Sequence, residues 1–198
     1  MVCCGRMLER ALGALDAIHA EDPRSESVDG VEVAAELLYA RRMTEQLRSL
    51  VDSPSEALQL AVRAQHLRRW TVAREDYPAG KKGYHHWRTT LARMHAETAG
   101  QVLRDAGYGD DVVSRVSDLV LKKRLKTDPE AQALEDAACL VFLRHHLAAF
   151  AARHDDDKVI VILHKTWQKM SEQGHAAALA LPLGARERQL VERALAPG

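Results

Sequence analysis

Three histidines and one carboxylate pair are the residues of this chain best suited to chemistry. His66 follows Leu58, Ala61 and Val62, an apolar face at helical spacing, and precedes Leu67-Arg68-Arg69-Trp70. His85, Arg88, Leu91 and His95 recur at intervals that keep them on roughly one side of a helix. Glu135-Asp136 leads directly into Ala137-Ala138-Cys139-Leu140-Val141-Phe142-Leu143. A carboxylate pair entering so apolar a helix either caps the previous turn or is bound to something, because burying it unpaired is expensive. Neutral imidazoles and carboxylates brought together from three helices make a candidate divalent-metal site. The competing reading is a set of buried histidines satisfied by backbone carbonyls and carboxylates. His19, His154 and His175 fall near helix ends and are expected at the surface. His145 and His146 are adjacent, so at most one should look inward.

Basic residues gather around the same segments: Arg68 and Arg69, Lys81 and Lys82, Arg88, then Lys122-Lys123-Arg124 and Lys126. Arginine offers a planar fork to phosphate or carboxylate, and lysine a point charge. Across the chain 28 Lys+Arg balance 28 Asp+Glu, which argues for a local anion site and against a nucleic-acid surface. The alternative is solvated charge scattered over helix faces. Tyr77-Pro78-Ala79-Gly80-Lys81-Lys82-Gly83-Tyr84 lacks the spacing of a phosphate-binding P-loop, and neither a Gly-x-Ser-x-Gly elbow nor a Cys-x-x-Cys pair occurs. Cys139 reads as a small buried hydrophobe.

The elements that must position these groups are helices. The 198 residues include 31 Ala and 25 Leu but three Ile and two Phe, the balance of a helical chain. Ser53-Pro54-Ser55-Glu56 and Thr127-Asp128-Pro129-Glu130 read as helix starts. The expectation is an all-α, single-domain helical bundle over residues 7–198, preceded by an extension over residues 1–6. Helices are expected near 6–20, 30–51, 54–70, 84–106, 110–123, 129–153, 156–171 and 185–195. Residues 71–83 form the one long irregular segment, a length often reserved for function. Val159–Leu163 is extended in composition, but its acidic and basic flanks favour helix, and it is too short to span a bilayer. Three cysteines, two of them adjacent, form no disulfide framework, so a reducing cytoplasm is the expected location and no membrane partner is expected.

The order of motifs resembles the HD-domain superfamily, all-helical proteins that mostly hydrolyse phosphate esters with a bound divalent metal. Ala64-Gln65-His66, Met94-His95-Ala96-Glu97 and Leu134-Glu135-Asp136-Ala137 carry the resemblance. Leu67 stands where the family has the Asp of its defining pair, Tyr39 where it has its first His, and Lys122-Lys123 where two-metal members have further His. The resemblance implies that His66, His95 and Asp136 hold one divalent ion (Mn, Fe, Zn, Ni or Co) that activates a water. His85 or Glu135 would move protons, and Arg69, Lys82 and Arg88 would neutralise a small anionic substrate. The implied activity is hydrolysis of a small phosphorylated or otherwise anionic metabolite or nucleotide. An HD-type iron oxygenase, or a non-catalytic module binding a nucleotide, RNA or protein, are the alternatives. From about residue 8 the chain also resembles the uncharacterised domain-of-unknown-function family 4202. The shared features are Glu36-Leu37-Leu38-Tyr39-Ala40, Arg63-Ala64-Gln65-His66, Lys82-Gly83-Tyr84-His85, the 134–143 segment and Lys165-Thr166-Trp167. That resemblance implies no activity.

Overall fold

Alanine and leucine at helical spacing produce helices through most of the chain. The computed structural model describes residues 2–196, with side chains from residue 5 onward. In order come α1 (Val2–His19), a hairpin of β1 (Ser25–Val28) and β2 (Val31–Ala34), α2 (Ala35–Leu50), α3 (Glu56–Arg63), α4 (Gly80–Asp105) and α5 (Asp110–Val120). Then follow α6 (Pro129–Val141), α7 (Leu147–Ala151), α8 (Asp156–Trp167), α9 (Glu172–Leu179) and α10 (Ala185–Leu195). Helix α2 packs along α6 and α3, α4 along α5, and α10 on α8. One continuous core joins them, with Leu47, Leu60, Leu67, Leu103, Leu119, Leu134, Leu140 and Leu147 fully buried. The fold is all-α and single-domain. Among the described residues no helix is long and apolar enough to cross a membrane.

Four local departures from the sequence expectation shape the site. Residues 25–34 form an antiparallel hairpin, although a helix was expected from residue 30. Asp29 and Gly30 have φ of 52° and 79°, the two left-handed positions of a tight hairpin turn, and branched Val28, Val31 and Val33 favour strand. Helix α3 stops at Arg63 rather than near Trp70, because His66 and Arg68 adopt left-handed backbone, with φ of 67° and 51°. A π-helical turn, Phe142–His146, interrupts the expected 129–153 helix. Residues 172–179, expected as connection, form α9, with Ser171 capping it by accepting from Gly174 N at 3.1 Å.

Helix α1 starts at Val2, inside the stretch expected as an extension; Met1, Pro197 and Gly198 lie outside the described residues. The two helix starts marked by Ser-Pro and Asp-Pro are capped by side chains close to where the sequence indicates. Ser55, not Ser53, caps α3 by accepting from Leu58 N, and Asp128 caps α6 ahead of Pro129.

The long 64–79 connection carries two short 3-10 turns, Arg69–Thr71 and Arg74–Asp76, and Trp87 pins it by donating its indole N–H to Val72 O at 3.0 Å. Gly83, in the first turn of α4, lies flat against this segment, and a Cβ there would run into the Pro78 carbonyl. The obstacle is backbone, so it moves only if the loop moves. Gly83→Ala is therefore expected to cost about 1–3 kcal/mol, as overpacking does. Thermal unfolding reads this as a drop of several degrees in Tm.

Candidate functional site

A cleft of about 490 Å³ opens between the hairpin, α2, the 64–69 segment, the start of α4, α6 and α8. Its walls carry Arg24, Arg69, Arg88, Lys122 and Lys169 against Glu26, Glu36 and Glu135, with Tyr39, Tyr84 and Phe142 as aromatic surfaces. A side chamber of about 80 Å³ shares Gln65, His66, Arg69, Arg88 and Lys122 with the cleft and ends at His95, Leu91 and Val120. The volume suits a ligand of metabolite size.

His66 is the hinge between the two spaces. Its Nδ1 lies 3.1 Å from Glu36 Oε2, and Arg69 donates to its Nε2 at 2.8 Å. A guanidinium is always a donor, so Nε2 accepts, and Nδ1 carries the proton that Glu36 receives. Burial, reinforced by Arg69, Arg88 and Lys122, holds the His66 pKa well below its ordinary value. The ring is thus a neutral imidazole. Tyr39 stacks on it, centroids 4.1 Å apart and planes 10° from parallel. The left-handed backbone of His66 costs of order 1–3 kcal/mol in a non-glycine residue, and such strain concentrates at sites that need one fixed geometry.

Glu36 owes its place to the turn before α2. Buried Asp22 accepts from the Glu36 backbone N–H at 3.1 Å, and Arg24 bridges Asp22 and Glu36 at 2.9 and 3.0 Å. Burial raises the Glu36 pKa despite Arg69 and Arg24 beside it. Arg69 lies 5.0 Å above the Trp87 ring, a cation–π contact that holds it over the cleft floor. Arg88 is exposed and has no hydrogen bond or ion pair among the described residues, yet it lines both chambers. Lys122 reaches the cleft because the 121–128 turn places it at φ 54°. Arg115 braces that turn, bridging Asp128 and Glu130.

The expected residues divide sharply. His66, Arg69, Arg88 and Glu135 line the cleft, and His95 closes the side chamber, its ring 6.0 Å from that of His66. His95 is 5% exposed, and its Nε2 has no hydrogen-bond partner. Burial, with His66 and Arg69 nearby, pushes its pKa down to about 3. His85 and Lys82 are exposed on the first turns of α4 and line neither chamber. Their spacing suits the helix, but the face they share looks outward. Glu135 pairs with Lys122, with Lys169 at 3.9 Å. Burial alone would raise its pKa, but Lys122 outweighs burial and keeps the carboxylate ionised, which unsuits it as a proton carrier.

Asp136 is turned away from the histidines. It accepts from Ser171 N at 2.9 Å, Ser171 Oγ at 2.5 Å and Gln132 Nε2 at 2.9 Å, tying α6 to the start of α9. Gly174 presses against it, so close that a Cβ would lie 2.7 Å from its Oδ1. The three-ligand metal set His66, His95 and Asp136 is therefore not brought together. Among the described residues no three His, Cys, Asp or Glu side chains group to hold a metal ion. What remains is two imidazoles, one already bonded to an arginine, and that donor set does not fit the expected ion.

Glu36, Arg24, Tyr39 and Lys169 are among the cleft residues that spacing did not identify as functional. Cys139 lies in the cleft wall with its thiol pushed up to about 12 by burial, consistent with a small apolar role. His19, expected at the surface, is completely buried, its Nε2 2.8 Å from Arg63 O. The π-turn leaves both His145 and His146 half-buried.

These imidazoles set an acid limit on the fold. Burial lowers the pKa of His19, His66, His95, His145 (to about 4) and His146. Free imidazole titrates near 6.5. Below that pH the unfolded chain binds protons that the folded chain refuses, so stability falls as pH falls from about 6.5 towards 4. Glu36 acts in the opposite sense, because its raised pKa costs stability as pH rises above its ordinary value, but five imidazoles oppose one carboxyl. Thermal unfolding is expected to show Tm declining steadily between pH 7 and pH 5. A flat profile would contradict the buried neutral histidines.

The cleft's residues come from segments spread over most of the chain, and the same span is what known families recognise. No curated protein and no solved structure matches this chain. A family model covers residues 9–191, so the chain belongs to the family described as Domain of unknown function, DUF4202.

Proposed function

We propose that the protein hydrolyses a small phosphorylated or otherwise anionic metabolite in this cleft, with His66 as the general base that Glu36 orients. The supporting observation is the hydrogen-bond order of the pair: Nδ1–H donates to Glu36, which leaves Nε2, a neutral lone pair, directed at the cationic cluster. Base and orienting group stand as in other acid–base sites. An anionic ligand competes for the Arg69 guanidinium and frees Nε2 for a water. The water oxygen bonds to phosphorus, its proton passes to Nε2, and the ester oxygen leaves with its electron pair to be protonated from solvent. Arg69, Arg88 and Lys122 neutralise the charge that develops. Tyr39, Tyr84 and Phe142 offer apolar surface to the organic part. Because the expected ligands do not converge, no step here runs through a metal ion. The iron-oxygenase alternative draws on the same ligands and meets the same shortage.

The test is a panel of nucleoside monophosphates and sugar phosphates, with phosphate release followed in untagged protein. Arg88→Ala removes an exposed, unpaired cation and should leave the fold intact. It is expected to raise KM about 10- to 100-fold, the range for one charge-assisted hydrogen bond. Binding without phosphate release would make the cleft a binding module. No binding by any member, or an Arg88→Ala protein equal to the parent, would overturn the reading.

A further inference from the structure

The two chambers differ in charge, and the difference orients a ligand. The carboxylates of the cleft, Glu26, Glu36 and Glu135, all face its larger space. The side chamber has no Asp or Glu in its walls, only the cations Arg69, Arg88 and Lys122 among neutral groups. At about 80 Å³ it holds two to three waters, at roughly 30 Å³ each. That is too small for a base or sugar ring and suited to one tetrahedral oxyanion. His95 lies at its inner end, and His95 Nε2, buried from solvent, is the one buried side-chain polar atom of the site without a partner among the described residues. A buried nitrogen without a partner costs about 1–3 kcal/mol and calls for an explanation. An anion oxygen in the chamber supplies one.

We infer that the side chamber seats a terminal phosphoryl group, with His95 Nε2–H as its buried donor and Arg69, Arg88 and Lys122 as its countercharges. The inference rests on the reading that the cleft takes a small organic phosphate, and it fixes which end enters first. His95 is a binding residue here, not a base. The ligand class narrows to monoesters: a phosphodiester carries a second organic substituent on phosphorus, and a chamber of about 80 Å³ walled by Leu91 and Val120 is sized for the phosphoryl oxygens alone.

Inorganic phosphate is the probe, titrated into untagged protein with 15N-labelled histidine side chains. The expected result is 1:1 binding with a shift of the His95 Nε2 resonance. Methyl phosphate should shift it likewise, and dimethyl phosphate should not. His95→Gln keeps an N–H and is expected to bind phosphate within a few-fold of the parent. His95→Leu removes the donor and is expected to lose at least tenfold. The titration of the parent protein stands even if a variant folds poorly. Phosphate that fails to bind, binds without moving the His95 signal, or binds the Leu variant equally overturns the inference. So does an equal shift by the diester. Hydrolysis of monoesters with the His95 signal unmoved would sink this inference and leave the proposed activity standing. A moving His95 signal with no hydrolysis would do the reverse.

Discussion

His66→Asn is expected to lower turnover of the cleft's substrate by about 10²- to 10⁴-fold, the range for loss of a general base, with little change in Tm. Asparagine is the right replacement because position 66 sits at φ 67°, where Asn is tolerated and alanine is strained. Its amide can still donate to Glu36, so the buried carboxylate keeps a partner, while the basic nitrogen is gone. Glu36→Gln supplies the companion measurement. It leaves an acceptor for Nδ1–H but removes the charge that steadies the imidazolium formed on proton transfer. The expected effect is a smaller loss in kcat, with the acid limb of the pH–rate profile displaced to lower pH, because an imidazolium that loses its neighbouring carboxylate gives up its proton more readily. A His66→Asn protein with unchanged kcat would remove the acid–base reading of the site.

Asp136→Ala is expected to destabilise the fold by about 3 kcal/mol, or roughly 6–12 °C in Tm for a chain of this size, without abolishing phosphate binding. The carboxylate is 3% exposed and accepts three hydrogen bonds, two from Ser171 and one from Gln132. Removing it strands those donors and frees the start of α9. Had Asp136 been a metal ligand, the dominant loss would be of ion and activity. Elemental analysis of untagged parent protein, beside the variant, separates the two. Substoichiometric metal in both, with a lowered Tm in the variant, is the expected outcome. A stoichiometric ion lost in Asp136→Ala would restore the metal centre that the sequence suggested.

The helices and the clustering of basic residues were legible in the sequence because their causes are local. Asp128-Pro129 starts α6 where a cap and a fixed φ must, and the acid-before, base-after flanks of Val159–Leu163 make that run part of α8. Arg69, Arg88 and Lys122 already stood out as a cluster against a neutral whole. The facing of side chains was not legible. Glu135 and Asp136 are neighbours, about 100° apart around one helix, and only the packing of α6 decides that Glu135 takes the cleft and Asp136 takes α9. Glu36 gave no sign of its role, since its partners Asp22 and Arg24 come from before the hairpin. Left-handed backbone at His66 and Lys122 is likewise unmarked, because neither residue is glycine.

The π-helical turn at Phe142–His146 has a consequence for how this family can change. Such a turn holds one residue more than an α-helix needs. The surplus lets Phe142 and His146 reach the cleft while Leu147 and Ala151 still point into the core. Deleting one residue there, Arg144 for example, would leave an unbroken rod but re-index it by about 100°. Either the pocket wall or the seat of the C-terminal helices would then be rotated away. This wall of the cleft is therefore open to exchanges of residue type but closed to changes in residue number.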